Sequence, residues 1–302
     1  MARRRKKTGR LGSLLLIVLL LLAAWVYTKL PEQPQTPDVP AAAVEGEVTV
    51  HVIDVGQADA ILIVAPDGNM LIDAGLDSSE DELAAYLDLY GIEAFEYVVF
   101  THPDADHIGG ADMIMREYEV EAVILPNAVK TTIVYENMIS AIEQSDAQVI
   151  EAISGESYAI GELTFRILAP NEQKYANTND YSVVLRATYG AVSMMFTGDA
   201  MGNSKGVSED EMLSTYRADE LKSDFLKVGH HGSDTSTSPE FLAAVAPKLA
   251  AISAGEGNSY GHPHKSVLDA LSAAGVTYYC THERGSLVFV CDGESIVYRQ
   301  GQ

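Results

Sequence analysis

Cysteine and tryptophan are scarce in this chain of 302 residues, which has two of the first and one of the second. Two cysteines build neither a dense disulfide scaffold nor a multi-cysteine zinc module, so both are excluded. Basic residues are also few, 20 Lys+Arg against 43 Asp+Glu, for a formal net charge of −23. Seven of those bases (Arg3, Arg4, Arg5, Lys6, Lys7, Arg10 and Lys29) fall in the first 30 residues, which hold no acid, so the other 272 residues carry a formal −30. A body that acidic repels polyanions at long range and argues against a general nucleic-acid surface of the basic-stripe kind. What is plentiful is apolar: 47% hydrophobic residues are ample for a packed core, which excludes wholesale disorder.

The charge asymmetry divides the chain. Between Arg10 and Lys29 no residue is charged, and six bases precede the run. The pattern predicts a cytoplasmic basic segment (1–10), a single transmembrane signal anchor (11–28) with Trp25 and Tyr27 at an interface, a Pro-rich linker (29–47) and an extracytoplasmic body (48–302). The alternative is secretion after cleavage near Ala41-Ala42-Ala43.

From Val48 onward, short β-branched runs alternate with helical spacing. Strands are expected at Val48–Asp54, Ala60–Val64, Met70–Asp73 and Tyr97–Thr101, with a helix over Ser79–Tyr90 stopped by Gly91. The second half begins again with strands (Leu163–Leu168, Tyr181–Thr188, Val192–Thr197) and then alternates strand and helix to the end. Two such halves suggest an α/β (α+β) four-layer αββα sandwich, two mixed sheets face to face with helices outside. Cys280 and Cys291 flank a turn; they either face one another on antiparallel strands, open to a disulfide, or stay unpaired in the core.

The densest polar constellation is Thr101-His102-Pro103-Asp104-Ala105-Asp106-His107-Ile108-Gly109-Gly110. Four potential metal ligands lie within six residues, directly after an apolar strand, where a turn aims successive side chains into one pocket. Gly109-Gly110 lets the backbone pass close to it. Asp199 follows another apolar strand in a Thr-Gly-Asp turn, and His230-His231 follow a third.

His102-x-Asp104-x-Asp106-His107 resembles the HxHxDH signature of the metallo-β-lactamase fold, in the HxDxDH variant of the ComEC-type branch. Further segments match that branch in order: Asp54-Val55-Gly56-Gln57, Leu71-Ile72-Asp73-Ala74-Gly75, Phe196-Thr197-Gly198-Asp199, Lys227-Val228-Gly229-His230-His231-Gly232-Ser233 and Asn258-Ser259-Tyr260-Gly261-His262-Pro263-His264. The resemblance implies that His102 and Asp104 serve a first metal, that Asp106, His107 and His262 serve a second, and that Asp199 bridges them. One of His230 and His231 would bind metal, with His231 included among the ligands, or protonate the leaving oxygen. Asp73 would order the ligand loop. Asp54, Gln57 and His264 either flank the site or tie loops, while His51 and His282 read as ordinary strand or loop histidines. Ala58 departs from the glycine usual before Asp59.

One expected ligand is missing. The family commonly adds a histidine between the HxHxDH loop and the Thr-Gly-Asp turn, yet none occurs from Ile108 to Gly229; Asn179 and Ser182 occupy an Asn/Ser motif there instead. The first site is therefore richer in oxygen, which makes Mn²⁺ or Mg²⁺ as plausible as Zn²⁺ in a set of one or two divalent ions. The resemblance implies a hydrolase working through a metal-bound hydroxide, with Asp106 and Asp199 positioning the nucleophile, and a phosphodiesterase or nuclease acting on DNA during uptake. The rival readings are a hydrolase of a small phosphoester, wall-polymer phosphodiester, lactone or lactam, and a non-catalytic surface binding module. No nucleotide cofactor is expected.

Overall fold

Alternation of apolar residues along the strands determines how this chain layers. In β1 (Val48–Val52), Val48, Val50 and Val52 all point to one face; Ile61 and Ile63 of β2 (Ala60–Ala65) and Met70 and Ile72 of β3 (Gly68–Ala74) join them. The intervening Leu62 and Leu71 point the other way, onto helices. With a period of two, each of these strands is buried on both faces, which only a sheet with cover on both sides permits.

A computed structural model describes residues 46–299. An eight-stranded sheet runs β15-β14-β1-β2-β3-β4-β5-β6, and a seven-stranded sheet runs β13-β12-β11-β10-β9-β8-β7. The remaining strands of the first sheet are β4 (Ala94–Val99), β5 (Glu119–Leu125), β6 (Gln148–Glu151), β14 (Leu287–Cys291) and β15 (Ile296–Arg299). The second contains β7 (Ser157–Ile160), β8 (Leu163–Ala169), β9 (Val184–Tyr189), β10 (Val192–Phe196), β11 (Phe225–Lys227), β12 (Leu249–Ile252) and β13 (Thr277–Cys280). One core lies between the sheets, with Phe165, Met194, Phe196 and Phe225 facing Val50, Ile63 and Phe289. Helices Glu80–Leu89, Ala111–Glu117 and Ile133–Gln144 cover the outer face of the first sheet; Ser208–Thr215, Pro239–Val245 and Lys265–Ala273 cover the second. This is the four-layer αββα sandwich expected from the sequence.

Three expectations are revised. The strand expected from Tyr181 starts at Val184, because Asn177 accepts a hydrogen bond from the Asn179 N–H and turns Thr178–Tyr181 into a 3-10 helix. β7 was not expected. Cys280 ends β13 and Cys291 ends β14, strands of different sheets, and both cysteines are free and buried. The expected anchor (11–28) and most of the linker lie outside the described residues, among which no helix is long and apolar enough to cross a membrane.

Candidate metal centre

Both sheets deliver their functional side chains at strand ends. From the first sheet come Asp73 at the end of β3 and the loop after β4 that carries His102, Asp104, Asp106 and His107. From the second come Asp199 after β10 and His230-His231 after β11. The ligand loop presses tightly on its neighbour: a Cβ at Gly109 would lie 2.1 Å from the Asp77 backbone nitrogen, so only glycine fits.

Asp73 organises this loop. It adopts φ 60°, accepts the Thr101 N–H at 2.7 Å and the Thr101 hydroxyl at 2.7 Å, and pairs with His107 Nδ1 at 2.7 Å. A carboxylate only accepts, so Nδ1 carries the proton and His107 Nε2 is turned toward Asp199 Oδ1, 3.3 Å away. His102 is fixed through Nδ1 by Thr101 and Ser182 (3.2 and 3.4 Å), which leaves Nε2 facing Asp199 Oδ2 at 3.8 Å and Asp104 Oδ1 at 4.0 Å. Ser182 also accepts the Asp199 N–H at 3.1 Å, so one hydroxyl ties two of the residues together.

The two adjacent histidines diverge because both take left-handed backbone, φ 50° at His230 and 55° at His231. His231 is buried, with Nε2 3.4 Å from Asp106 Oδ2 and 3.7 Å from Asp199 Oδ1. His230 is partly open to solvent; its Nδ1 meets Thr235 Oγ1 at 2.8 Å, and its Nε2 lies 3.5 Å from Asp199 Oδ2 and 3.4 Å from the Asn179 amide.

Two residues not singled out from the sequence complete the centre. Asp59 lies 3.3 Å from His231 Nδ1, and its other oxygen accepts from Lys227 Nζ at 2.8 Å; both side chains are at most 1% exposed. Lys227 also donates to the Val228 carbonyl at 3.1 Å. His231 Nδ1 has the Ser253 carbonyl at 3.2 Å as well, so its ring orientation is set from two sides.

Other candidates lie at the margin of the centre, as Asp104 does 4.0 Å from His102 Nε2 and His262 does with its ring centroid 5.6 Å from that of His230, or away from it. Asp54 is exposed, and its carboxylate accepts from Gly56 N–H while its own N–H donates to Ser286; it ties a loop and does not enter the centre. His262 meets the Gln57 amide at 3.3 Å, and its ring centroid is 6.3 Å from that of His231; it belongs to none of the three-residue ligand groups found among the described residues. His264 starts helix Lys265–Ala273 and accepts from the Asp234 N–H at 2.9 Å, a loop-tying role. Asp104 is paired with Lys130. His51 is buried against Tyr86 and Tyr90, and His282 lies beside Cys280.

Burial and crowded carboxylates split the histidines electrostatically. Burial lowers His102 to about 4, with His107 repelling further charge. Burial also opposes charge on His107 and His231, but carboxylates outweigh it: Asp199 and Asp73 raise His107 well above the usual imidazole range, and Asp199 and Asp59 raise His231 to about 10. Asp199, despite its burial, is held well below the usual carboxylate range by His107 and His231.

The donor set fits divalent cations. His102 Nε2, His107 Nε2, His231 Nε2 and Asp199 Oδ1 are all buried without a hydrogen-bond partner, a costly state for four polar atoms unless something fills the space between them. Ligand atoms of His102, His107 and Asp199 lie within 4.8 Å of one another, as do those of Asp106, His107 and His231. A third group, Asp59, Asp73 and His107, lies on the side where His107 Nδ1 is already committed to Asp73.

Comparisons with known proteins point to one family. Residues 53–256 match the family described as the metallo-beta-lactamase superfamily. The chain is 31% identical over 268 residues to ComE operon protein 3 of Bacillus subtilis (strain 168), covering 83% of this chain and 34% of that protein. It is 30% identical over 251 residues to competence protein ComA of Neisseria gonorrhoeae, covering 83% of this chain and 33% of that protein. The chain thus spans about a third of the length of these relatives. Among solved structures, the metallo-beta-lactamase fold protein YhfI from Bacillus subtilis superposes with TM-score 0.56 at 12% identity, covering 81% of this chain and 100% of that one, a likeness of fold alone.

Proposed function

The chain belongs to the metallo-beta-lactamase superfamily, in its ComEC-type branch, and from that premise we propose that it hydrolyses phosphodiesters, with single-stranded DNA as the leading substrate. The carrying observation is that three unpartnered imidazole Nε2 atoms and one unpartnered carboxylate oxygen lie buried in two adjoining ligand groups that share His107. Asp106, His107, His231 and Asp199 would hold one divalent cation, and His102 with Asp104 and Asp199 a second; Zn²⁺, Mn²⁺ and Mg²⁺ all suit such a donor set. When bound, such ions lower the pKa of coordinated water and offset charge at the phosphorus.

The protein's own groups do the rest. Asp106, with a side chain 34% exposed, and Asp199, kept ionised by its histidines, orient the attacking water and accept its hydrogen bonds. The Asn179 amide and His230 line the open side of Asp199, where one donates to a phosphoryl oxygen and the other gives a proton to the departing oxygen. Tyr260, 67% exposed with its ring stacked on His262, offers an aromatic face for a base at the rim. The six bases preceding the uncharged 11–28 run support a location of this domain outside the cytoplasm.

The test is hydrolysis by the full chain in mild detergent, with Mn²⁺ and with Zn²⁺, of single-stranded DNA and of bis-p-nitrophenyl phosphate. Cleavage of both, abolished by Asp106→Ala, is expected. The acidity of the body favours a second reading, a small or wall-polymer phosphodiester; turnover of the small diester with intact DNA would select it. Turnover of neither, despite bound metal, would overturn both.

A further inference from the structure

The two halves of the metal centre are unequal. Toward the second sheet, Asp106, His107, His231 and Asp199 face one another, and neither carboxylate is paired with a lysine or arginine. Toward the loop after β5, one carboxylate is already taken: Asp104 Oδ1, which faces His102 Nε2, is in direct ionic contact with Lys130 Nζ. Lys130 is not a loosely hanging surface lysine. Its loop runs from the end of β5 to the helix Ile133–Gln144, is held by the Tyr135 hydroxyl donating to the Ala128 carbonyl at 3.3 Å, and packs with Pro126 and Ala128 around a small apolar cavity that His102 and Pro103 also line. Its side chain is 28% exposed, so the ammonium remains solvated on one side while pairing on the other.

We infer that Lys130 competes with the cation that would bind at His102, Asp104 and Asp199, so that the chain loads one divalent ion tightly and a second only weakly. This rests on the metal-dependent reading above but concerns loading, not the reaction. Three observations combine. The sequence places an aspartate, Asp104, where the family signature has a histidine, and offers no histidine from Ile108 to Gly229 to make up the donor set. His102 Nε2 is buried and unpartnered, so this half is built to accept a ligand. Yet its only acidic ligand apart from the shared Asp199 is neutralised by an ammonium, which also repels a divalent ion at close range. Filling this half requires Lys130 to swing out to solvent, and an anionic substrate arriving at the mouth would draw it that way.

The experiment is a Mn²⁺ titration of the full, chelator-stripped chain in mild detergent, following free Mn²⁺ by electron paramagnetic resonance. For the unmodified chain, one tight site and a second at least about tenfold weaker are expected, with a spin-coupled Mn²⁺ pair appearing only as the second fills, since Asp199 is common to both. Lys130→Met should tighten the second site about tenfold or more and leave the first unchanged, whereas Lys130→Arg should behave as the unmodified chain. Asp104→Asn should remove the second site alone. Two sites of equal affinity in the unmodified chain, or a second site indifferent to Lys130→Met in protein with an unchanged melting profile, would overturn the inference. Lys130→Gln repeats the measurement should the methionine variant melt early. If loading follows the expected pattern but no phosphodiester is cleaved, the proposed reaction fails and the inference stands; if no Mn²⁺ binds at all, both fail.

Discussion

His107 and His231 are the residues on which metal and proton compete. In the metal-free chain the carboxylates around them overcome burial, lifting His107 well above the usual range and His231 to about 10, so both are imidazolium near neutral pH. A cation needs the Nε2 lone pair of each, so loading must expel those protons, and affinity should climb with pH until it passes the raised values. His102, lowered to about 4, is already neutral and contributes no proton. Calorimetry of Mn²⁺ or Zn²⁺ binding at pH 7.5 in buffers of different ionisation enthalpy should report release of about two protons for the tight ion. No release would show that the histidines were neutral beforehand. The same geometry explains why the sequence left the His230-His231 pair open: which ring turns inward depends on two consecutive left-handed residues, a backbone choice that residue type does not announce.

At the scale of elements, β11 holds a loop of the other sheet through the side chain of its last residue. Lys227 ends β11 and meets Asp59, in the segment between β1 and β2, 168 residues away in sequence. Removing one member leaves the other charged and buried, so Lys227→Met should destabilise the fold by about 3–5 kcal/mol in denaturant unfolding. The double substitution Lys227→Met with Asp59→Leu should regain much of that stability while still weakening metal binding, because His231 Nδ1 loses its carboxylate. Equal recovery of stability and metal affinity would assign the pair a purely structural role. Neither residue stood out in the sequence, where a lysine before Val228 and an aspartate after Ala58 read as parts of local motifs; their pairing is a product of the two-sheet topology. His102, Asp106, His107 and Asp199 were legible because each sits in a short polar segment right after an apolar strand. β7 was not, since only Ile160 of its four residues is buried and they pair along one edge alone, with β8. Asp54 was left open between flanking the site and tying a loop, and its hydrogen bonds turn it back on its own loop.

The acidity of the whole molecule acts on the encounter with substrate. A body of formal −30 repels an oligonucleotide before any local attraction at the centre can act, and salt screens that repulsion over a Debye length of about 8–10 Å near physiological ionic strength. For single-stranded DNA, kcat/KM should therefore rise as ionic strength increases from about 20 to 150 mM, opposite to the trend for proteins that neutralise phosphates with basic patches. A falling profile measured in uncharged detergent would point instead to a basic contact surface that the charge distribution does not suggest. The left-handed residues at Asp73, His230 and His231 bear on the molecule's history under selection. Each holds a conformation that costs a non-glycine residue roughly 1–3 kcal/mol, tolerated because the side chain is needed where it points. At His230, whose side chain is partly open to solvent, selection for heat tolerance alone would thus favour glycine and impair the centre while improving the fold, whereas glycine at Asp73 or His231 would strand the buried groups each one holds, so survivors of such a screen should be altered at His230 and not at the other two.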